Sequence, residues 1–325
     1  MTLTKVIIDG AEHKNIAFWD SAGGATLNTT NTHTGNASWN ISTSECKKNL
    51  PADSDVVWAR FWLYTSSNNV NWAPIVFGHS SKGYQNRLYL NTQHVLTIQR
   101  EGTVLATGTT VIEVDRWYMI EVGVYLDNTS GWMKCYVDGN LDSTYSGDTL
   151  ANNSYLYINY FEFDGTGTGT QVQVDDICIA TGLSTDTSPI GDGRVYGIFP
   201  NADGSETEWT GDYTDVDEAP PDNDGSTDLT TTTSGDRSTF DLESLTPTDT
   251  ILAVQVVGHA MKDDAADDNL NIGIIDNSNE DTAAVELSAG TRNFIAGDIF
   301  TTRPAGGGAW TKTVVDSLQV VVEAP

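Results

Sequence analysis

Residues Arg116–Leu141 read RWYMIEVGVYLDNTSGWMKCYVDGNL. In the first half Tyr118, Ile120, Val122, Val124 and Leu126 alternate with Trp117, Met119, Glu121, Gly123 and Tyr125. In the second, Met133, Cys135 and Val137 alternate with Trp132, Lys134, Tyr136 and Asp138. Strand side chains point to opposite faces with a period of two, so each half is a strand with one apolar and one mixed face. Asp127-Asn128-Thr129-Ser130-Gly131 is turn chemistry between them, and Asp138-Gly139 is a second tight turn. The stretch is a β-hairpin.

Working outward, strand signals recur at the spacing of an all-β sandwich: Val56–Tyr64, Ile75–Gly78, Arg87–Leu90, Val95–Gln99, Tyr155–Phe163 and Gln171–Ile179. Almost no segment has a 3.6-residue period, so little helix is expected. Residues 1–55 read as a loose opening with two short strands, Lys5–Ile8 and Ile16–Trp19. The first residues, MTLTKVIIDGAEHKN, show no apolar run behind a basic start, so folding in a cytoplasm without a secretory signal is expected. No apolar run approaches the roughly 18 residues of a membrane span.

The hairpin also carries a resemblance. An R-W-Y-x-I-x-V strand, a polar turn and then G-W-x-K-x-Y-V-D-G-N-L resembles the central hairpin of laminin-G-like, concanavalin-A-like jelly rolls. Gln173-Val174-Asp175-Asp176-Ile177-Cys178-Ile179 is similar to that family's closing strand. The resemblance implies a jelly-roll sandwich over residues 1–183.

The 325 residues are many for one core, and two domains are expected. The net charge of −29 is unevenly placed. Residues 1–183 carry 10 Lys+Arg against 18 Asp+Glu, or −8; the remainder carries 6 against 27, or −21. Seven of the nine tryptophans lie in the first part, so the two parts differ in kind. Residues 184–194, STDTSPIGDGR, read as a linker, and residues 195–325 as a smaller, acidic β-sandwich. Nucleic acid is excluded as a partner, since neutralising phosphates takes Lys and Arg. Cys46, Cys135 and Cys178 have neither even count nor C-x-x-C spacing, and read as buried free thiols.

Gly191–Leu245 carries a second resemblance, to a segment of tailed-bacteriophage structural proteins: a G-D-x-R-V strand, then P-N-x-x-G, T-x-W-T and V-D-E. Those proteins pair it with an N-terminal laminin-G-like jelly roll, the order found here. The pairing implies a virion protein.

Three kinds of chemistry are weighed. Glycosidases need two carboxylates flanking the scissile bond. Related enzymes place them along one strand as E-x-D-x-E; Glu113-Val114-Asp115 and Glu162-Phe163-Asp164 begin that pattern, and neither carries the third carboxylate. A lectin-like surface is built on the mixed strand faces: Trp58, Arg60, Trp62 and Tyr64, with Trp117, Glu121, Tyr125, Trp132 and Tyr136 from the hairpin. Aromatic rings stack on sugars while charged groups bond hydroxyls, so this band suits a glycan if it is open, and packing if it is covered. No cofactor is expected beyond calcium at Asp222, Asp224 and Asp228, where oxygen ligands surround a turn glycine without the closing Glu of an EF-hand. The five scattered histidines and the absence of G-x-S-x-G give nucleophilic catalysis no support.

The expectation is therefore a non-enzymatic structural subunit of a tailed-phage particle. It would be held on capsid or tail by contacts with other virion proteins and with copies of itself, without membrane insertion. The alternative is a receptor-binding adhesin whose jelly roll recognises host-surface glycan, and the remote alternative a glycan hydrolase.

Overall fold

A computed structural model describes residues 3–41, 45–66, 71–151, 154–165, 172–221, 228–247, 250–263 and 268–324. The chain is all-β, as its periodicity requires, and it divides into two compact units. The first comprises Met1–Glu12 and Trp19–Val195, the second His13–Phe18 and Tyr196–Pro325.

The first unit contains β1 (Thr4–Asp9), β2 (Thr26–Asn28), β3 (Ser38–Asn40), β4 (Glu45–Ser54) and β5 (Val56–Thr65). There follow β6 (Trp72–His79), β7 (Gly83–Leu90), β8 (Val95–Arg100), β9 (Thr103–Val111) and β10 (Trp117–Tyr125). It closes with β11 (Gly131–Val137), β12 (Asn140–Gly147), β13 (Ile158–Asp164) and β14 (Val172–Thr181). These strands form two antiparallel sheets. The first runs β12-β11-β10-β5-β14-β3-β2, with β1 also on β14; the second runs β4-β13-β6-β7-β8-β9.

The quoted hairpin is β10 and β11, paired from Tyr125↔Trp132 to Ile120↔Val137. Asp138 (φ 48°) and Gly139 (φ 77°) then turn the chain into β12, the two-residue loop whose twist matches the flanking strands. One side of the first sheet (Val57, Ala59, Phe61, Leu63, Ile120, Val122, Val124, Met133, Cys135) is fully buried. So are Ile75, Phe77, Leu88, Ile98, Phe161 and Phe163 of the second. Phe61 meets Phe163 edge-on at 4.9 Å, and Trp19 packs against Trp39, Phe161 and Phe163. The three cysteines are buried free thiols.

Two local readings of the opening residues change. Ile16–Phe18 is a 3-10 turn rather than a strand, and its Phe18 ring packs edge-on against Phe294 within the second unit. Glu45–Ser54 is a full strand, although Lys47-Lys48 and Pro51-Ala52-Asp53 give it little strand character of its own.

The second unit contains β15 (Pro200–Thr207), β16 (Arg237–Leu242), β17 (Val254–Ala260), β18 (Asp268–Asp276), β19 (Asn279–Leu287), β20 (Asn293–Phe300) and β21 (Gln319–Glu323). A five-stranded sheet, β15-β16-β21-β18-β19, and the pair β17-β20 share a core of Leu270, Ile272, Ile274, Val256, Ile295, Phe300 and Trp310. Arg237 holds three carboxylates of this acidic unit together: Glu206 (3.1 Å), Glu280 (2.7 Å) and Glu323 (2.9 Å).

Candidate functional site

Strand register brings the nine aromatic and charged residues of the expected glycan surface to one face. Across β5 and β10, Tyr64 opposes Trp117, Trp62 opposes Met119, Arg60 opposes Glu121 and Trp58 opposes Gly123. Across β10 and β11, Glu121 opposes Tyr136 and Tyr125 opposes Trp132. Gly123 is what lets the Trp58 indole lie on the sheet, since a Cβ there would fall 2.4 Å from the ring.

Over Trp58, Glu121 and Trp132 this face is closed. Residues 184–194, a linker by composition, lie across it as a strap. The Trp58 indole N–H donates to Asp186 O (2.8 Å), the Trp132 N–H to Ser184 O (3.0 Å) and Lys134 Nζ to Thr187 O (2.9 Å). Gly191 N–H donates to Glu121 Oε1 (2.7 Å), and Ile190 packs among the rings. Trp58, Arg60, Glu121 and Trp132 are buried, and Trp62, Tyr64, Trp117, Tyr125 and Tyr136 half-buried. The His33 ring stacks on Trp62 at 3.6 Å between centroids. Burial raises the Glu121 carboxyl above its ordinary range, against the opposing Gly191 N–H and the Arg60 charge.

The closing-strand carboxylates are also structural. Asp176 accepts from Thr34 Oγ1 (2.8 Å) and Val195 N–H (2.6 Å) and pairs with His33 Nδ1 (2.6 Å). Asp175 accepts from the backbone N–H groups of His33 and Thr34, and burial followed by the Asp176 charge pushes it up to about 8. Asp222 and Asp224 of the expected calcium loop lie outside the described residues. Asp228 is gripped by both terminal nitrogens of Arg292. Among the described residues no three His, Cys, Asp or Glu side chains cluster as metal ligands. Glu113 and Asp115 sit between β9 and β10, where Asp115 accepts from Tyr64 Oη (2.8 Å).

The outer face of the second sheet is different. Phe161 and Phe163 point into the core, so Tyr160, Glu162 and Asp164 point away from it. In β4 the same alternation turns Cys46 inward and Glu45 and Lys47 outward. The pairs Glu162↔Lys47 and Asp164↔Glu45 then place four charged groups together. The row continues through Val76 of β6, Arg87 of β7 and Gln99 of β8. Glu45 of the neighbouring strand adds a carboxylate opposite Asp164. Directly opposed side chains have Cβ atoms about 5 Å apart.

Glu162 is the group this row perturbs most usefully. Burial raises its carboxyl to about 7, helped by the Glu45 and Asp164 charges and opposed by Lys47. Tyr160, lying over Gly78 where any Cβ would strike its ring, is pushed up to about 12 by burial and then by Glu162 and Glu45. Lys47 Nζ sits 4.1 Å from the Tyr160 ring centre. The Arg87 guanidinium leans on Tyr84 and Tyr89 (5.1 and 4.6 Å) and is oriented by Nε donation to Gln99 Oε1 (2.9 Å). A carboxyl poised near neutrality beside other carboxyl groups is suited to proton transfer. Along the row Val76, Tyr160 and Gln99 are buried, and Lys47, Glu162 and Arg87 are half-buried. Surface cavities of about 370 and 340 Å³ lie elsewhere, one at Pro51–Ser54 with Thr181–Leu183, the other at Asp55, Tyr125–Asn128 and Tyr157.

No protein-family model matches the chain, and no curated protein matches it. Solved structures do. A carbohydrate esterase of the Shiga toxin-encoding bacteriophage phi24B aligns at 12% identity with a TM-score of 0.40, covering 56% of this chain and 100% of its own. An alginate lyase in complex with alginate tetrasaccharide aligns at 10% identity, TM-score 0.37, covering 56% and 96%. A Trypanosoma rangeli sialidase aligns at 15% identity, TM-score 0.36, covering 49% of this chain and 28% of that one. A further sialidase is covered over only 18% of its length. Identities of 10–15% place these likenesses at the level of the fold. The expectation of a non-enzymatic structural subunit is corrected: the solved structures found are a carbohydrate esterase, an alginate lyase and sialidases. The chain aligns with these solved structures over 49–56% of its length.

Proposed function

We propose that the first unit is a carbohydrate-active sandwich that binds a glycan on the outer face of its second sheet and cleaves it through Glu162. The observation that carries this reading is the constellation Glu162, Asp164 and Glu45 on two paired strands, flanked by Lys47, Tyr160 and Arg87. In it Glu162, protonated near neutral pH, gives its proton to the leaving oxygen. Asp164 or Glu45 stabilises the positive charge that develops on the sugar or activates water against it. Tyr84 and Tyr89 supply ring faces, and exposed Asn49 of β4 supplies a hydroxyl partner.

The resemblance of Gly191–Leu245 to phage virion proteins supports placing the chain on a tailed-phage particle, among other virion proteins and further copies of itself. There a glycan-cleaving sandwich would act on the host envelope. The test is to incubate the purified full chain with a panel of bacterial-surface and storage glycans. Binding and new reducing ends are measured for wild type and Glu162→Gln. The reading requires binding by both proteins and cleavage by wild type alone. Binding without cleavage by either leaves an adhesin, and binding by neither removes glycan recognition.

A further inference from the structure

The basic residues of the first unit are few, and most are already engaged. Lys48 pairs with Asp20 (3.1 Å), Lys82 with Glu101, Arg100 with Asp148 (2.5 Å) and Arg116 with Asp138 (2.8 Å). Lys134 and Arg60 donate to carbonyls of the strap. Lys5 of β1 and Arg194, both off the second sheet, also lack a carboxylate partner among the described residues, and on the second sheet the contrast is Lys47 and Arg87. Both are half-buried, and among the described residues neither has a carboxylate within salt-bridge distance.

Both also share the row that crosses β4, β13, β6 and β7, with Glu162 next to Lys47. Three interstrand spacings separate them, roughly 14 Å, which is oligosaccharide scale. Arg87 is held in a fixed plane by its two tyrosines and by Gln99, leaving its terminal nitrogens as a rigid fork. Such a fork matches a carboxylate with two parallel hydrogen bonds. In a chain of net charge −29, leaving two cations without carboxylate partners on one face costs local pairing that surrounding acid could supply.

We infer that the glycan taken by this face carries carboxylates, as an oligouronate does, with Arg87 gripping one sugar carboxylate and Lys47 attracting another. This rests on the glycan reading above and specifies its substrate class. Glu162, when protonated, adds no repelling charge and can donate to the bound acid.

The experiment measures binding of the full chain by calorimetry to two pairs of probes. These are oligogalacturonate and oligomannuronate, each with its carboxyl-reduced neutral counterpart, at low and at physiological salt. At least one oligouronate should bind about 10–100-fold more tightly than its reduced partner, the range of a hydrogen bond to a charged group. Arg87→Gln should abolish that preference, and Lys47→Gln should reduce it less and flatten its salt dependence. Arg87→Lys should restore the charge but only part of the preference, because the fork is lost. Equal affinity for the acidic and reduced forms overturns the inference while sparing glycan recognition. Binding of neither overturns both, and binding of some other, neutral glycan from the wider panel overturns the inference alone.

Discussion

The two outer faces of the first unit make opposite use of similar residues. On the first sheet, rings are dense and the strap bonds to them; on the second, rings are sparse and Lys47, Glu162 and Arg87 lie half-buried between them. Trp58 and Trp132 spend their indole N–H groups on backbone carbonyls of their own chain. Arg87 and Lys47 lean on tyrosines and keep terminal nitrogens available. Aromatic density therefore marks packing here. The site is better marked by charged groups that the protein has not itself paired.

The comparison can be broken most sharply at Glu162. Glu162→Gln should lower the cleavage rate about 10²–10⁴-fold with glycan affinity kept, as measured by reducing-end release and calorimetry. With Glu162 as the acid, wild-type activity should fall about tenfold per pH unit above about 7, and the variant's residual activity should lack that limb. A variant as active as wild type would remove the second sheet from the chemistry.

Next comes Trp58→Ala, which should cost about 3–5 kcal/mol of stability in denaturant titration, because a fully buried indole and its bond to Asp186 are lost together. Under native conditions the variant should bind glycan as wild type does. Loss of binding at full stability would reopen the aromatic face as the site. Smaller is Gly123→Ala, whose new methyl collides with the Trp58 ring. About 1–3 kcal/mol is expected, again without effect on cleavage.

The smallest effect concerns pH and stability. The folded protein holds the Glu162 proton up to about pH 7, whereas an unfolded chain releases it near 4.5. The stabilisation linked to that proton is complete below 4.5 and is lost as pH rises to 7. Solvent access keeps it to about 1 kcal/mol. Glu162→Gln should flatten the pH dependence of the denaturation midpoint over this window, and an unchanged slope would refute the assigned environment.

Much of the fold was legible because period-two alternation survives any tertiary detail. Tyr118 through Leu126 had one face to bury, and Val57, Ala59, Phe61 and Leu63 had to bury against the same core. The aromatic face was equally legible as a surface, but its closure was not. The strap is held through carbonyls of Ser184, Asp186 and Thr187, and a carbonyl is the same in every residue. The second-sheet site was half legible. Glu162 and Asp164 stand in one motif, whereas Glu45 and Lys47 come from a strand whose lysines and proline hide it. Only register could unite them.

The strap also bears on how such proteins can be cut and recombined. A fragment ending at residue 183 would carry Trp58, Trp132, Tyr125 and Tyr136 with no cover, and would self-associate through them. A fragment running to residue 195 would bring its own lid. A shuffling event that transplants this sandwich between chains must therefore carry the plain-looking dozen residues after it, so the heritable module ends well beyond its last strand.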